Sequence, residues 1–284
     1  MLTANESPDT ITSGLDKFFY EHAKEIKKMR NVLTISGLKG GTGKSITALN
    51  LSASMALYGK KVLLVDCDPQ ARVSQWRKMD SNGNDHDLAQ VLAGRTSVPD
   101  AVSGTDIDGL YILPAGFNLF SISLKLSRRI DNEKLLRLVI DEIEHDYDII
   151  ILDAPSSCGY LSLAALTAAD WLAAVVTPDE DWINDVHSLM KIVRYIRRSH
   201  NTPLGIAGIL FNRCNSEEQM EHRAVPEVLE QIRPLIYKTM IPDDEMLDKE
   251  QASLSPLALY DIKAQASQAY LGIAREIICA FNLK

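Results

Sequence analysis

The chain has 284 residues, 46% of them hydrophobic, which is enough to bury the core of one large α/β domain with a short appendage. No stretch approaches the ~20 uninterrupted apolar residues of a membrane span, and the polar, acidic N-terminus does not read as a secretion signal, so a cytoplasmic protein is expected. A formal net charge of −8 argues against a protein that coats nucleic acid over its whole surface, so any DNA contact has to be a local cationic patch.

In chain order, residues 1–30 stand apart as an extension. The first 13 are polar, as in a disordered lead. Leu15, Phe18, Phe19, His22, Ile26 and Met29 then fall on one face of a helix, which either docks on the domain or meets a partner. The domain itself is expected over 31–284. Runs at 31–36, 61–66, 110–114, 148–153, 172–177 and 206–211 predict strands, and their near-continuous Val, Ile and Leu implies burial on both faces. Between them the spacing predicts helices over 45–57, 133–143, 182–198 and 262–280. Strands alternating with helices predict a single α/β domain with a mostly parallel twisted sheet flanked by helices on both faces. Cys67, Cys158, Cys214 and Cys279 lie far apart with no CxxC pair, so neither a disulfide framework nor a sequence-local metal or iron–sulfur site is indicated.

The chemistry concentrates after the first strand, in Leu38-Lys39-Gly40-Gly41-Thr42-Gly43-Lys44-Ser45. Glycines let backbone N–H groups turn inward around a phosphate, and the following helix adds the positive potential of its N-terminus. Lys44 can reach the terminal phosphates while the Ser45 hydroxyl coordinates Mg²⁺. Leu38 stands where the ordinary P-loop has a glycine, and Lys39 adds a second lysine. Asp66-Cys67-Asp68-Pro69-Gln70 and Asp153-Ala154-Pro155-Ser156-Ser157 each end a predicted strand, where open parallel sheets bind ligands. Alone, each acid could cap a helix; beside a P-loop they read as metal- and water-handling carboxylates.

This set of segments closely resembles the ParA/Soj/MinD class of deviant-Walker ATPases, most of all the ParA-type partition ATPases. The resemblance covers about residues 31–284, including Phe211-Asn212-Arg213 and the late Ile241-Pro242. It implies a P-loop NTPase fold and an ATP- and Mg²⁺-dependent ATPase. By the same resemblance Lys44 binds the β- and γ-phosphates, and Lys39 crosses an ATP-bound homodimer to the partner's nucleotide. Asp68 orients or activates the attacking water. The nucleotide is expected to contact the loop residues Lys39, Gly40, Gly41, Thr42, Gly43, Lys44 and Ser45, with Ile46, Thr47 at the α-phosphate, Asn212 at the adenine, and Pro242. Ser45, Asp66 and Asp153 form the expected metal set, Ser45 directly, Asp153 through water and Asp66 in support.

Phosphoryl transfer asks mainly for positioning and charge neutralisation, so a lysine supplied in trans would make dimerisation and catalytic competence one event. The resemblance further implies a stimulating partner of the centromere-binding type and nonspecific DNA binding in plasmid or chromosome partition. Lys191, Arg194, Arg197 and Arg198 are the candidate cations, which could equally be a solvated helix face. Relatives often carry arginines after the late Ile-Pro, whereas this chain has Asp243, Asp244, Glu245 and Met246. The alternative is ATP-dependent positioning of a non-DNA cargo or a MinD-like membrane-associated role, against which residues 275–284 carry few cations for a membrane helix. An iron-protein reductase would need two suitably placed cysteines, and a tyrosine kinase a tyrosine-rich tail.

Overall fold

The computed structural model describes residues 31–76, 86–128, 132–201, 203–221, 226–247 and 255–283. The apolar stripe from Leu15 to Met29 lies outside them. The strands are β1 (Val32–Ser36), β2 (Val62–Asp66), β3 (Ser103–Gly104), β4 (Leu110–Leu113), β5 (Ile149–Asp153), β6 (Trp171–Val176) and β7 (Gly205–Phe211). The longer helices are α1 (Lys44–Leu57), α2 (Leu119–Leu126), α3 (Leu135–Asp141), α4 (Tyr160–Ala168), α5 (Trp182–Ser199) and α6 (Gln265–Phe281). They build one sheet in the order β3-β4-β2-β5-β1-β6-β7. Among the described strands only the short β3 runs antiparallel, against β4.

Alternation within each strand divides the core in two, because successive side chains point to opposite faces. Leu63, Val65, Ile150 and Leu152 pack on one face with Ile122 of α2, Leu136 of α3, Leu161 of α4 and Leu189 of α5. Val62, Leu64, Ile149 and Ile151 pack on the other, against α1 and α6. Burial of both faces is why these strands lack polar alternation, and truncating one such residue to Ala should cost about 2–5 kcal/mol.

Two expected helices differ in extent. The stretch 133–143 begins as a tighter 3₁₀ turn at Asn132–Lys134 before α3. The closing helix starts at Gln265, since the Asp261 side chain accepts the Lys263 N–H at 2.9 Å and holds a local turn that competes with a helix.

Parallel pairing carries the functional consequence. β1 lies between β5 and β6, and β2 beside β5, so the residues that follow all these strands emerge along one edge. Asp66 and Asp153 are register partners there.

Candidate functional site

The loop between β1 and α1 is shaped by its glycines. Gly41 and Gly43 take φ of +80° and +88°, which side chains resist. Gly37 has normal φ but no room, since a Cβ there would sit 2.6 Å from the Val175 carbonyl oxygen. Gly43 precedes α1 and no side chain caps that helix, so no side chain competes for its first-turn N–H groups, as an anion site would need. Lys44 is buried and folds back, its Nζ donating to the Lys39 carbonyl at 2.7 Å and lying 3.4 Å from Thr42 Oγ1. Burial lowers its pKa, and Asp153 opposes that shift.

The two strand-end acids are fully buried neighbours with different partners. One Asp66 oxygen accepts the Ser74 N–H at 2.9 Å and the Ser74 hydroxyl at 2.6 Å; the other accepts the Asp68 N–H at 3.0 Å. Burial pushes its carboxyl up to about 6 against these hydrogen bonds. Neither buried oxygen of Asp153 accepts a well-formed hydrogen bond, although the Ser45 hydroxyl lies beside them. Burial, and then the charge of Asp66, hold its carboxyl well above the usual carboxylate range, with the Ser45 hydroxyl and Lys44 opposing. An orphaned buried carboxylate is costly unless something polar completes it. Beside a serine hydroxyl and in excess over the nearby cation, this donor set fits a hydrated divalent ion. Asp66, by contrast, is occupied in holding the segment that carries Asp68. Asp68 is half-buried and accepts the Gln70 N–H at 2.9 Å.

Lys39 is exposed and ion-paired within its own chain, to Asp179. Asp179 also accepts the Thr177 hydroxyl at 2.9 Å and the Asp181 N–H at 3.1 Å. Burial pushes its carboxyl up, but the hydrogen bonds from Lys39 and Thr177 outweigh it and hold the carboxyl below the usual range. The same bond raises the pKa of Lys39. Sequence reasoning passed over Asp179, although it follows the end of β6 as Asp66 and Asp153 end β2 and β5. It likewise passed over Ser74 and over Tyr270, whose hydroxyl lies 3.5 Å from that of Thr47.

The remaining expected nucleotide residues also converge. Asn212 follows β7, its Nδ2 donates to the Thr42 carbonyl at 2.8 Å, and it bridges to Ile241, which brings Pro242 alongside. Gly40 faces Ser156, and Ser45, Ile46 and Thr47 lie in the first turn of α1. The four candidate DNA cations do not join this site. Lys191, Arg194, Arg197 and Arg198 lie on the second half of α5, which runs away from the Asp179 edge. Asn201, just past that helix, bonds to the Ala169 carbonyl at 2.6 Å, beside the start of β6. The acidic segment after Pro242 has structural work: Asp244 accepts the Met246 N–H at 2.9 Å and the Ala266 N–H at 3.2 Å, fastening α6.

The chain is similar to known proteins over most of its length. A family described as an AAA domain matches residues 30–206. The sporulation initiation inhibitor protein Soj of Bacillus subtilis is 30% identical over 249 residues, covering 88% of this chain and 98% of Soj. The chromosome partitioning protein ParA of Caulobacter vibrioides is 30% identical, covering 87% and 93%. The septum site-determining protein MinD of Pyrococcus horikoshii, solved with Mg-ADP, superposes with a TM-score of 0.72 at 27% identity, covering 88% and 96%.

Proposed function

Since the chain belongs to the ParA/MinD family of P-loop ATPases, we propose that it is a partition-type ATPase switched between monomer and dimer by MgATP. It is an ATPase, and Mg²⁺ would supply charge neutralisation on the phosphate oxygens. In this reading Lys44 turns from the Lys39 carbonyl to the β- and γ-phosphates, and the α1 N-terminus and loop N–H groups cradle them. Ser45 and Asp153 would hold the metal, while Asp66 fixes the segment from which Asp68 would orient the attacking water. Asn212 braces the loop from below, and with Pro242 it borders the base.

The observation that carries the switch is the Lys39–Asp179 ion pair. Lys39 is exposed and parked in its own chain beside the phosphate loop. Released toward a facing protomer, it supplies charge at the partner's γ-phosphate, so assembly and competence coincide. Loss of that phosphate on hydrolysis removes the contact and resets the protein. A partner protein that stimulates hydrolysis, nonspecific DNA as the surface that ATP dimers hold, and plasmid or chromosome segregation as the outcome complete the proposal.

The test uses two variants. Lys44→Ala should lose binding of a fluorescent ATP analogue by at least tenfold. Asp68→Ala should bind MgATP, barely hydrolyse it, and sediment at twice the monomer mass. Normal turnover in Asp68→Ala removes that residue from its role, and undiminished binding in Lys44→Ala overturns the nucleotide site.

A further inference from the structure

We propose that Phe117, Phe120 and Leu124 form the docking surface for a protein partner presenting an amphipathic helix with an acidic rim, and that this contact acts on the Asp66–Asp68 segment; the second half rests on the ATPase reading above. Phe117 is 100% exposed, Phe120 59% and Leu124 48%. Phe120 and Leu124 lie one turn apart on α2, and Phe117 stands in the turn before it. The opposite face of the same helix, Leu119, Ile122 and Leu126, is already spent in the core. A surface helix needs one apolar face, and α2 has two. Single exposed apolar residues are ordinary, but two large ones at helical spacing on an eight-residue helix, with a third in the turn before it, mark a surface that is covered in use.

Charge selects the occupant. From Gly109 to Arg128 the sequence contains no Asp or Glu, in a chain whose net charge is −8. Lys125 and Arg128 are exposed beside the stripe. Apolar contact flanked at one end by cations fits an apolar ridge edged by carboxylates. An anionic bilayer has the same sign, but this is a short platform for interfacial anchoring, and its connection to the interior calls for an occupant of defined shape.

That connection is the second, independent observation. The Ala115 N–H, two residues before Phe117, donates to Ser74 Oγ at 2.9 Å, and the same hydroxyl donates to Asp66. Gly116, at φ +78°, lies so close to Asp87 that a Cβ would sit 2.2 Å from its carboxylate. The Pro114 carbonyl accepts the Leu88 N–H at 2.8 Å. The turn below the stripe is therefore clamped, and a shift of Phe117 reaches Asp66, and through it the Asp68 N–H, by way of one hydroxyl.

The experiment uses the full chain and a labelled 18-residue synthetic helix with a leucine stripe and glutamate rim. Controls are the same peptide with a lysine rim, and vesicles of equal parts phosphatidylglycerol and phosphatidylcholine. Fluorescence anisotropy should show the glutamate peptide binding at least tenfold tighter than the lysine peptide. Phe120→Ser/Leu124→Ser and Lys125→Glu should each lose at least tenfold while thermal unfolding and unstimulated ATP turnover stay unchanged. Bound peptide should alter wild-type turnover at least twofold relative to unbound enzyme, and the ratio should fall to one in Ser74→Ala, which still binds it. Equal affinity for both peptides, or variants that bind normally, overturns the proposal. So does tighter association with vesicles than with peptide, or a nucleotide-free self-association that Phe120→Ser/Leu124→Ser abolishes, since these assign the stripe to lipid or to a second copy. Peptide binding by a protein with no ATP turnover would sink the ATPase reading and leave the docking surface standing.

Discussion

At the scale of single residues, the site is a balance of buried acids against two lysines, and that balance makes measurable predictions. Asp179 holds Lys39 at home. Asp179→Ala should therefore lower the ATP concentration at which dimer forms, by several-fold, as read by sedimentation against an ATP series; an unchanged or raised concentration means that the pair does not restrain the lysine. Asp66 gives a pH signature. Its folded-state pKa of about 6 lies above its ordinary 3.8, so protonation favours the folded state. Its contribution to stability is full below about pH 4 and is lost as pH rises through 6. In EDTA, the unfolding free energy of wild type relative to Asp66→Asn should fall between pH 4 and 7. A difference that does not move with pH would show an ordinary ionised carboxylate. Residue types made most of this legible: Lys39, Lys44, Asp66 and Asp153 announce themselves by place in the motif. The pairing of Lys39 with Asp179 does not, because 140 residues separate them and only the β1–β6 adjacency brings them together.

At the scale of elements, the phosphate loop is held open by what lies under it. Gly43 combines φ of +88° with a space that Asn212 closes, since a Cβ would sit 2.0 Å from its Nδ2. Gly43→Ala meets both the left-handed backbone penalty of about 1–2 kcal/mol and that clash, so ATP affinity should fall at least tenfold. Adding Asn212→Ala removes the clash but not the backbone strain, so the double variant should regain part of the stability, measured by thermal unfolding. If the double variant is no more stable than Gly43→Ala, then Asn212 does not crowd the loop. Strand positions were readable because Val, Ile and Leu runs buried on both faces have no other economical reading. Helices α2 and α4 were not. The sequence of α4, Tyr-Leu-Ser-Leu-Ala-Ala-Leu-Thr-Ala, is buried nearly all round and has no polar stripe to betray its period. The stripe of α2 is masked by apolar residues on both its faces. The two-residue β3 is too short to carry any pattern.

At the scale of the whole molecule, the parallel order places every nucleotide residue on one edge and the α5 cations toward the other, and this decides how DNA binding has to be tested. Because α5 is 18 residues long, it spans about 27 Å from the Asp179 edge to Asn201. Lys191, Arg194 and Arg198 follow one another at helical spacing along its second half, with Arg197 beside them. The sequence revealed the cluster but not its distance from the phosphate loop, which depends on the direction in which α5 returns along the sheet. In a dimer closed across the nucleotide edges, each protomer would bring one such cluster on its own flank. Four cations meeting four phosphates would give a slope of log affinity against log salt of about −3.6 on duplex DNA, and two such clusters on one duplex about −7. With ATP, retention of nonspecific duplex in a mobility-shift assay should therefore follow the steeper slope, and with ADP the shallower one and a weaker affinity. Lys39→Ala should show only the shallow slope in either nucleotide. Arg197→Glu/Arg198→Glu should lose retention while still binding the ATP analogue. An ATP-bound wild type that keeps the shallow slope but binds more tightly would mean that the flanks engage separate duplexes. No retention at low salt would remove DNA from the proposal and leave α5 a solvated helix face, with the ATP cycle serving another cargo.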